Sequence, residues 1–336
     1  MTTEYGASYF GVRNRTHAET DLERFEDAGL NAVLHTFSER DKRYYEETMQ
    51  DIVASSKDRG FEVYVNPWSV GRVFGGEALS QFIGEHPESQ QVTSEGQRIA
   101  AACFNAPDFR EYMREWTESA AGLGADVLFW DEPHWFLPEW FEEEFADDEW
   151  GCRCEHCQAR YEDTYGEPMP EEVTDRVQEF KADQLMDFLE EMMAISREEG
   201  CENAVCLLPS EDADHGLSDW DQLAASEYLD VLVTDPYWGV FPEAEGPEEF
   251  VGYFSEKVAD MAEEYDLRGQ IWIQGFRLPA GSTEEVKTAT RTAIESGVDS
   301  VMLWGYDGCK SISDIACEEP EDVWNGFLEE VQAAQE

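Results

Sequence analysis

Residues 131–161 read DEPHWFLPEWFEEEFADDEWGCRCEHCQARY, which sets two adjacent carboxylates, Asp131 and Glu132, shortly ahead of Cys152, Cys154 and Cys157. Carboxyl groups held in a cleft do proton-transfer and nucleophilic work, because their charge state follows burial and neighbouring charge. Three thiolates in a Cys-x-Cys-x-x-Cys spacing can point into one volume, and a structural zinc needs a fourth ligand to close its tetrahedron. Cys103, in AACFNAPDFREY, is the best candidate for that fourth ligand, with His156 and the other cysteines as alternatives. Cys201, Cys206, Cys309 and Cys317 read as small core residues. A structural zinc would pin together loops too polar to build a core of their own.

The elements that must position these groups follow from periodicity. Eight β-rich runs, at 7–12, 31–37, 61–68, 125–132, 203–209, 229–238, 270–276 and 300–308, alternate with helical patterns such as 39–58, 108–122, 172–199, 247–265 and 283–296. Continuous apolar strands with helical crossovers imply a parallel sheet, and eight of them fit a (β/α)8 TIM barrel. A doubly wound open sheet is the runner-up, and no Gly-x-Gly-x-x-Gly follows the first run to support it. The connections at 69–107 and 133–171 are long for βα loops, so they are expected over the C-terminal mouth. The organisation expected is one barrel domain over 1–336, with a zinc-bearing loop subdomain at 133–171 inserted after the fourth strand.

A Cys followed by Asn-x-Pro-x-x-Arg (CFNAPDFR), a strand ending in an acidic dipeptide (FWDEP), and Cys-x-Cys-x-x-Cys ahead of CQARYEDTYG together resemble family 42 of the glycoside hydrolases, the zinc-containing β-galactosidases. The likeness covers residues 100–170 closely and the barrel pattern loosely. It implies a zinc on Cys103, Cys152, Cys154 and Cys157, and an acid/base at Glu132. Asp131 stands where the family has Asn, and Gln274, in IWIQGFRLP, stands in or near the place of the nucleophilic Glu. An amide can neither attack an anomeric carbon nor offset the charge of an oxocarbenium ion.

Carboxylates expected at strand ends are Asp131, Glu132, Glu211 with Asp212, Asp235 and Asp307, where this architecture places its chemistry. Glycoside hydrolysis uses two of them, and Glu132 as general acid with Asp235 as nucleophile or base is the preferred pair. Asp131 with Asp235 ranks next, being similar to the strand-four and strand-six aspartates of the α-galactosidase clan. Trp68, Trp135, Trp238 and Trp304 fall at or past strand ends, where indole faces can stack on sugar rings, whereas Trp130, inside its run, reads as core. Asn66, Tyr237, Tyr306, Gln274, Arg277, Asp307, His35 and His134 could supply directional hydrogen bonds to a polyol. A catalytic metal centre on His35, His134 and His215 with Asp235 or Asp307 is the weaker use, since the histidines are scattered.

Composition bounds the partners. The 336 residues carry 23 Lys and Arg, only six of them Lys, against 76 Asp and Glu, for a formal charge of −53. The excess runs through every predicted helix, so repulsion is relieved only where the Debye length falls to about 3 Å, near 1 M salt. This reads as a halophile-type acidic protein of a salt-rich cytoplasm. No basic patch exists to neutralise phosphates, so nucleic acid and anionic membranes are not expected partners. No window approaches 18 apolar residues and the N-terminus has no leader pattern, from which a cytoplasmic location is expected. The acidic run at 142–149 reads as a solvated face. The expected partner is a small carbohydrate, a homo-oligomer is compatible, and the activity expected is glycoside hydrolysis, with a catalytically silent carbohydrate-binding barrel as the alternative.

Overall fold

The computed structural model describes residues 4–141, 145–146, 149–210, 216–241, 244–310 and 312–336. Glu211, Asp212, His215 and most of the acidic run at 142–149 lie outside the described residues. The strands are β1 (Glu4–Tyr9), β2 (Ala32–Thr36), β3 (Glu62–Asn66), β4 (Gln90–Val92), β5 (Arg98–Ala102), β6 (Val127–Asp131), β7 (Glu202–Leu207), β8 (Val231–Thr234), β9 (Arg268–Gln274) and β10 (Ser300–Trp304). Eight of them pair in parallel and close in the order β1-β10-β9-β8-β7-β6-β3-β2, which is a (β/α)8 barrel. β4 and β5 form a separate antiparallel ribbon within the connection at 69–107.

Helices α1 (Arg15–Asp27), α2 (Glu39–Tyr44), α3 (Glu46–Asp58), α4 (Phe82–Glu85), α5 (Pro107–Gly122) and α6 (Glu155–Tyr165) accompany the first half. The second half carries α7 (Asp175–Glu198), α8 (Trp220–Ala224), α9 (Pro247–Tyr265), α10 (Thr283–Glu295) and α11 (Pro320–Gln335). None is long and apolar enough to cross a membrane. Asn14 caps α1 by accepting from the His17 amide, a sufficient reason for an Asn at that position.

Period-two alternation sorts each barrel strand into two faces. Leu34, Tyr64, Phe129, Cys206, Val233, Trp272 and Met302 fill the interior. Val33, Val65, Leu128, Val205, Leu232, Ile273 and Leu303 join the outer layer with the helices. The same alternation turns Asn66, Asp131, Asp235, Gln274 and Trp304 inward at the C-terminal rim. At the opposite end Arg268 meets Glu4, Glu62 and Glu202, so that buried acid there has a cation.

Two elements differ from expectation. The first strand lies at 4–9 rather than 7–12, because Gly6 reads as a breaker but permits a close approach: a Cβ there would sit 2.3 Å from the Ala32 carbonyl oxygen. The helix expected over 39–58 is split at Tyr45 (φ −134°) into α2 and α3. The buried Glu39 carboxylate fastens α2 to the next connection, accepting from the amides of Gly71, Gln81 and Phe82 and from Ser80 Oγ. Gly6→Ala should therefore cost stability by about 1–3 kcal/mol or more through overpacking at the β1–β2 seam, measured by thermal or denaturant melts. An unchanged midpoint would contradict this account of the strand.

Candidate functional site

The β6 strand ends at Asp131, and Glu132 follows in a left-handed conformation (φ 43°) that turns its side chain out of the strand alternation. That turn is held from several sides. The Glu132 amide donates to the Cys206 carbonyl at 3.1 Å, the Gly75 amide to the Asp131 carbonyl at 2.9 Å, and His134 Nδ1 lies 2.6 Å from the Glu132 carbonyl. Gly75 passes so close that a Cβ would lie 2.6 Å from Glu132 Oε2 and 3.2 Å from Asp131 Oδ2. Only a residue without a side chain lets the 69–107 connection cross here.

Asp235, one residue past β8, completes the group. Asp131 is 7% exposed and Asp235 2%, while Glu132 is half-buried. Asn66 Nδ2 donates to Asp131 Oδ2 at 2.7 Å, whereas Asp235 Oδ1 is buried with no donor reaching it. Burial, followed by the charge of Glu132, drives the Asp131 carboxyl well above its usual range, the Asn66 bond opposing. Burial also raises Glu132, with a hydrogen bond to Asp235 acting against it. Burial, the Glu132 charge and their shared hydrogen bond raise Asp235 strongly. Burial thus favours the protonated form of each carboxyl, and the shared hydrogen bond favours the proton on Asp235 over Glu132.

The aromatic rim is built from Phe10, Trp68 and Trp304. Phe10 stacks on Trp304 at 5.5 Å and contacts Trp68 at 5.4 Å, and Tyr237 meets Phe276 edge-on at 5.0 Å. Tyr237 is pushed up by burial and by the charges of Asp235, Cys206, Glu132 and Asp131, which places it against the carboxyl group. Gln274 does face inward at the end of β9, the seventh barrel strand. Its amide is engaged, with Oε1 accepting from Gly239 N at 2.9 Å and Nε2 donating to the Phe276 carbonyl at 3.1 Å.

Other candidates stand elsewhere. His35 faces outward, bonded to Ser56 Oγ of α3, and burial pushes its imidazole down to about 4. Trp135 is fully buried and donates to the Lys181 carbonyl, and Trp238 donates to Glu285 of α10. His134 stacks edge-on against Trp140 at 4.4 Å and holds the Glu132 carbonyl. Tyr306 hydrogen-bonds Arg24 and Asp21 of α1, and Asp307 beside it lines a cleft of about 500 Å³ with Arg24, His17 and Lys310. Arg277 is exposed. Periodicity could not distinguish these, since a strand end offers both an inward and an outward face.

Phe10 and Phe276 of the aromatic rim were not anticipated from the sequence, and neither were three further participants. Gly75 carries the signal of the Gly75-Gly76 pair, which marks close backbone approach. Cys206 was expected as core, yet its thiol faces Asp235 and is pushed well up by burial and by that charge. Glu77 accepts from Trp68 Nε1 at 2.8 Å and from Ser313 Oγ at 3.2 Å, joining two loops across the rim, and nothing in its acidic surroundings marks it.

Beside this site, Cys103, Cys152, Cys154 and Cys157 are all buried, with ligand atoms within 4.8 Å of one another. Cys103 Sγ lies 3.4 Å from the sulfurs of both Cys154 and Cys157, too far for a disulfide. A tetrahedral zinc with bonds of about 2.3 Å sets sulfurs about 3.8 Å apart, so a small expansion accommodates the ion. The Asn105 amide and Nδ2 point at Cys103 and Cys157 sulfurs, as donors to thiolates do. His156 is not among the four. The cluster joins β5 to α6, and a bridge from Thr93 to Gly151 adds a second tie between the two long connections.

No family model matches the chain, and no curated protein matches it. Among solved structures it is similar to the catalytic domain of a β-amylase from Paenibacillus polymyxa, with TM-score 0.68, 12% identity and all of both chains covered. It is also similar to a GH42 β-galactosidase from G. stearothermophilus, at TM-score 0.72 and 13% identity over 99% of this chain. The chain spans only 56% of that enzyme's length. An endo-1,4-β-mannanase from Rhizomucor miehei follows at TM-score 0.66 and 11% identity, covering 99% and 95% of the two chains. At such identities the likeness establishes the barrel fold.

Two outcomes follow from this geometry. Protein prepared without chelator should hold one zinc per chain, and Cys103→Ser should release it and lower the melting temperature; metal analysis showing none would refute the tetrathiolate centre. Because the folded Asp235 titrates above its unfolded value, the folded state loses stability as pH rises above about 4. Asp235→Asn should therefore melt higher than wild type at neutral pH, by on the order of 1 kcal/mol, and the gain should vanish below about pH 4. A variant that melts lower at neutral pH would contradict the buried-charge account.

Proposed function

We propose that the chain is a glycoside hydrolase working at the C-terminal mouth of the barrel, with Glu132 as general acid. The observation that carries this reading is the convergence of Glu132, Asp131 and Asp235 behind an aromatic rim, with burial raising all three carboxyls above their ordinary range. The solved barrels of similar fold named as β-amylase, β-galactosidase and mannanase lend it support. Glu132 would protonate the departing glycosidic oxygen. The attacking water would give up a proton in turn, to Asp235 where Asp235 is the base, or to Glu132 itself where Asp235 is the nucleophile. Gln274 occupies the inward position at the seventh strand, so Asp235 is the preferred second carboxylate, with Asp131 next, and a glycosidic bond entering the site would have to part Asp235 from its hydrogen bond with Glu132 to about 5–9.5 Å.

The remaining expectations attach to this reading as proposals. The four cysteines would hold a structural zinc that fixes the 133–171 segment as a loop subdomain, and no chemical step passes through it. The resemblance to family 42, a salt-rich cytoplasmic setting and a small carbohydrate substrate belong to the same proposal.

One observation favours a second reading, a barrel that binds carbohydrate without cleaving it: the amide of Gln274 and its full engagement by backbone groups. The test is a screen of α- and β-linked aryl glycosides in molar KCl, comparing wild type with Glu132→Gln. Turnover that falls by about 10²-fold or more in the variant, with folding and zinc retained, is the expected result. Turnover indifferent to Glu132→Gln would remove Glu132 from the chemistry, and sugar binding without turnover would favour the binding barrel.

A further inference from the structure

The fold buries the carboxylates Glu39, Asp41, Asp131 and Asp235 among the described residues, and it treats them in two ways. Glu39 accepts from three amides and one hydroxyl, and Asp41 is bonded to the guanidinium of Arg13 and to Ser38. At the closed end of the barrel Glu4 has Arg268 beside it. Asp131 has one neutral donor, Asn66, and Asp235 Oδ1 has none. Asn66 Oδ1, also fully buried, has no partner either. The groups left open at the mouth are thus acceptors.

Asp235 Oδ1 and Asn66 Oδ1, both buried and without a partner beside the Asp131 carboxyl, suit a ligand that brings N–H groups and positive charge. An ammonium carries three donors and no acceptor. A bare metal ion is a poorer fit. The described groups whose ligand atoms gather within 4.8 Å are the four cysteines and the exposed His86, Glu88 and Asp108, and the three mouth carboxylates are not among them. A charge borne on a larger body fits better, and Trp68, half-buried at the rim beside Phe10, is the indole placed to meet a sugar ring.

We propose that the mouth is built for an amino sugar with a free, protonated amine, which Asp131 and Asp235 receive as an ion pair. The inference rests on the glycosidase reading for the sugar and, for the amine, on the uncompensated carboxyl groups, which ionise and release their shared proton as the ammonium arrives. An N-acetylated sugar has neither the charge nor the donors, and an anionic sugar would meet like charge.

The test is calorimetric titration of the zinc-containing protein in molar KCl with D-glucosamine and D-galactosamine, against their N-acetyl forms, the parent hexoses and putrescine. The amino sugars should bind about tenfold or more tightly than the neutral sugars, and Asp131→Asn should shrink that ratio to within about threefold. This variant keeps the oxygen that accepts from Asn66 and should melt no lower than wild type. Parent or N-acetyl sugars binding as tightly as amino sugars would overturn the proposal. So would a preference surviving in both Asp131→Asn and Asp235→Asn, or putrescine binding as well as the amino sugars. Amino-sugar preference with no turnover of any aryl glycoside, glucosaminides included, would keep this inference and discard the hydrolase reading. Turnover of neutral aryl glycosides with no amine preference would do the reverse.

Discussion

Burying Asp131, Glu132 and Asp235 against one another is unfavourable wherever all three are charged, and the surrounding structure is arranged to hold them together regardless. Like charges in a low-dielectric site either separate or take up protons. Separation is prevented by the barrel register, which fixes Asp131 beside Cys206 across β6 and β7, and by the bonds that hold Glu132 in its left-handed turn. Proton uptake is what remains, and it lifts the three carboxyl groups above their ordinary range. The loop that crosses at Gly75 closes over the site and leaves Asp235 Oδ1 without a donor.

That loop is held partly by packing, since residues 69–107 and 133–171 bury Val73, Phe74, Phe82, Phe104, Trp135 and Trp150 in the main core, and partly by a few polar ties. Glu39 reaches from α2 into the first connection, Glu77 bridges Trp68 and Ser313 across the rim, and the four cysteines bring β5 against α6. Glu39 and the four cysteines make their ties in the interior, whereas the Glu77 tie lies exposed at the rim. In a chain with a formal charge of −53, such local ties resist the repulsion that diffuse surface charge would impose.

The barrel was legible in the sequence because its signal is repeated: eight apolar runs with helical crossovers tolerate an error in any one of them. The first strand was displaced by Gly6, whose role is a backbone approach from Ala32 that no pattern of hydropathy records. Helix 39–58 hid its break because Tyr45 is an ordinary helix residue and the cause, the anchoring of Glu39, is tertiary. At the site, Asp131, Glu132 and Asp235 could be named from their places at strand ends. Which face a strand-end residue takes was less accessible: His35 turns outward to Ser56, and Trp135 and Trp238 spend their N–H groups on Lys181 and Glu285. Cys206 looked like packing because inward position and a carboxyl neighbour are facts of three dimensions.

The account depends on the three carboxyl groups sharing protons at neutral pH, and infrared difference spectroscopy reads this directly. The C=O stretch of a protonated carboxyl group should appear in wild-type protein at neutral pH. It should weaken or disappear in Asp235→Asn, where the remaining Glu132 and Asp131 carry less repulsion. A wild-type spectrum with only ionised carboxylates at neutral pH would contradict the proposed acid at Glu132 and the electrostatic constraint on which the site is built.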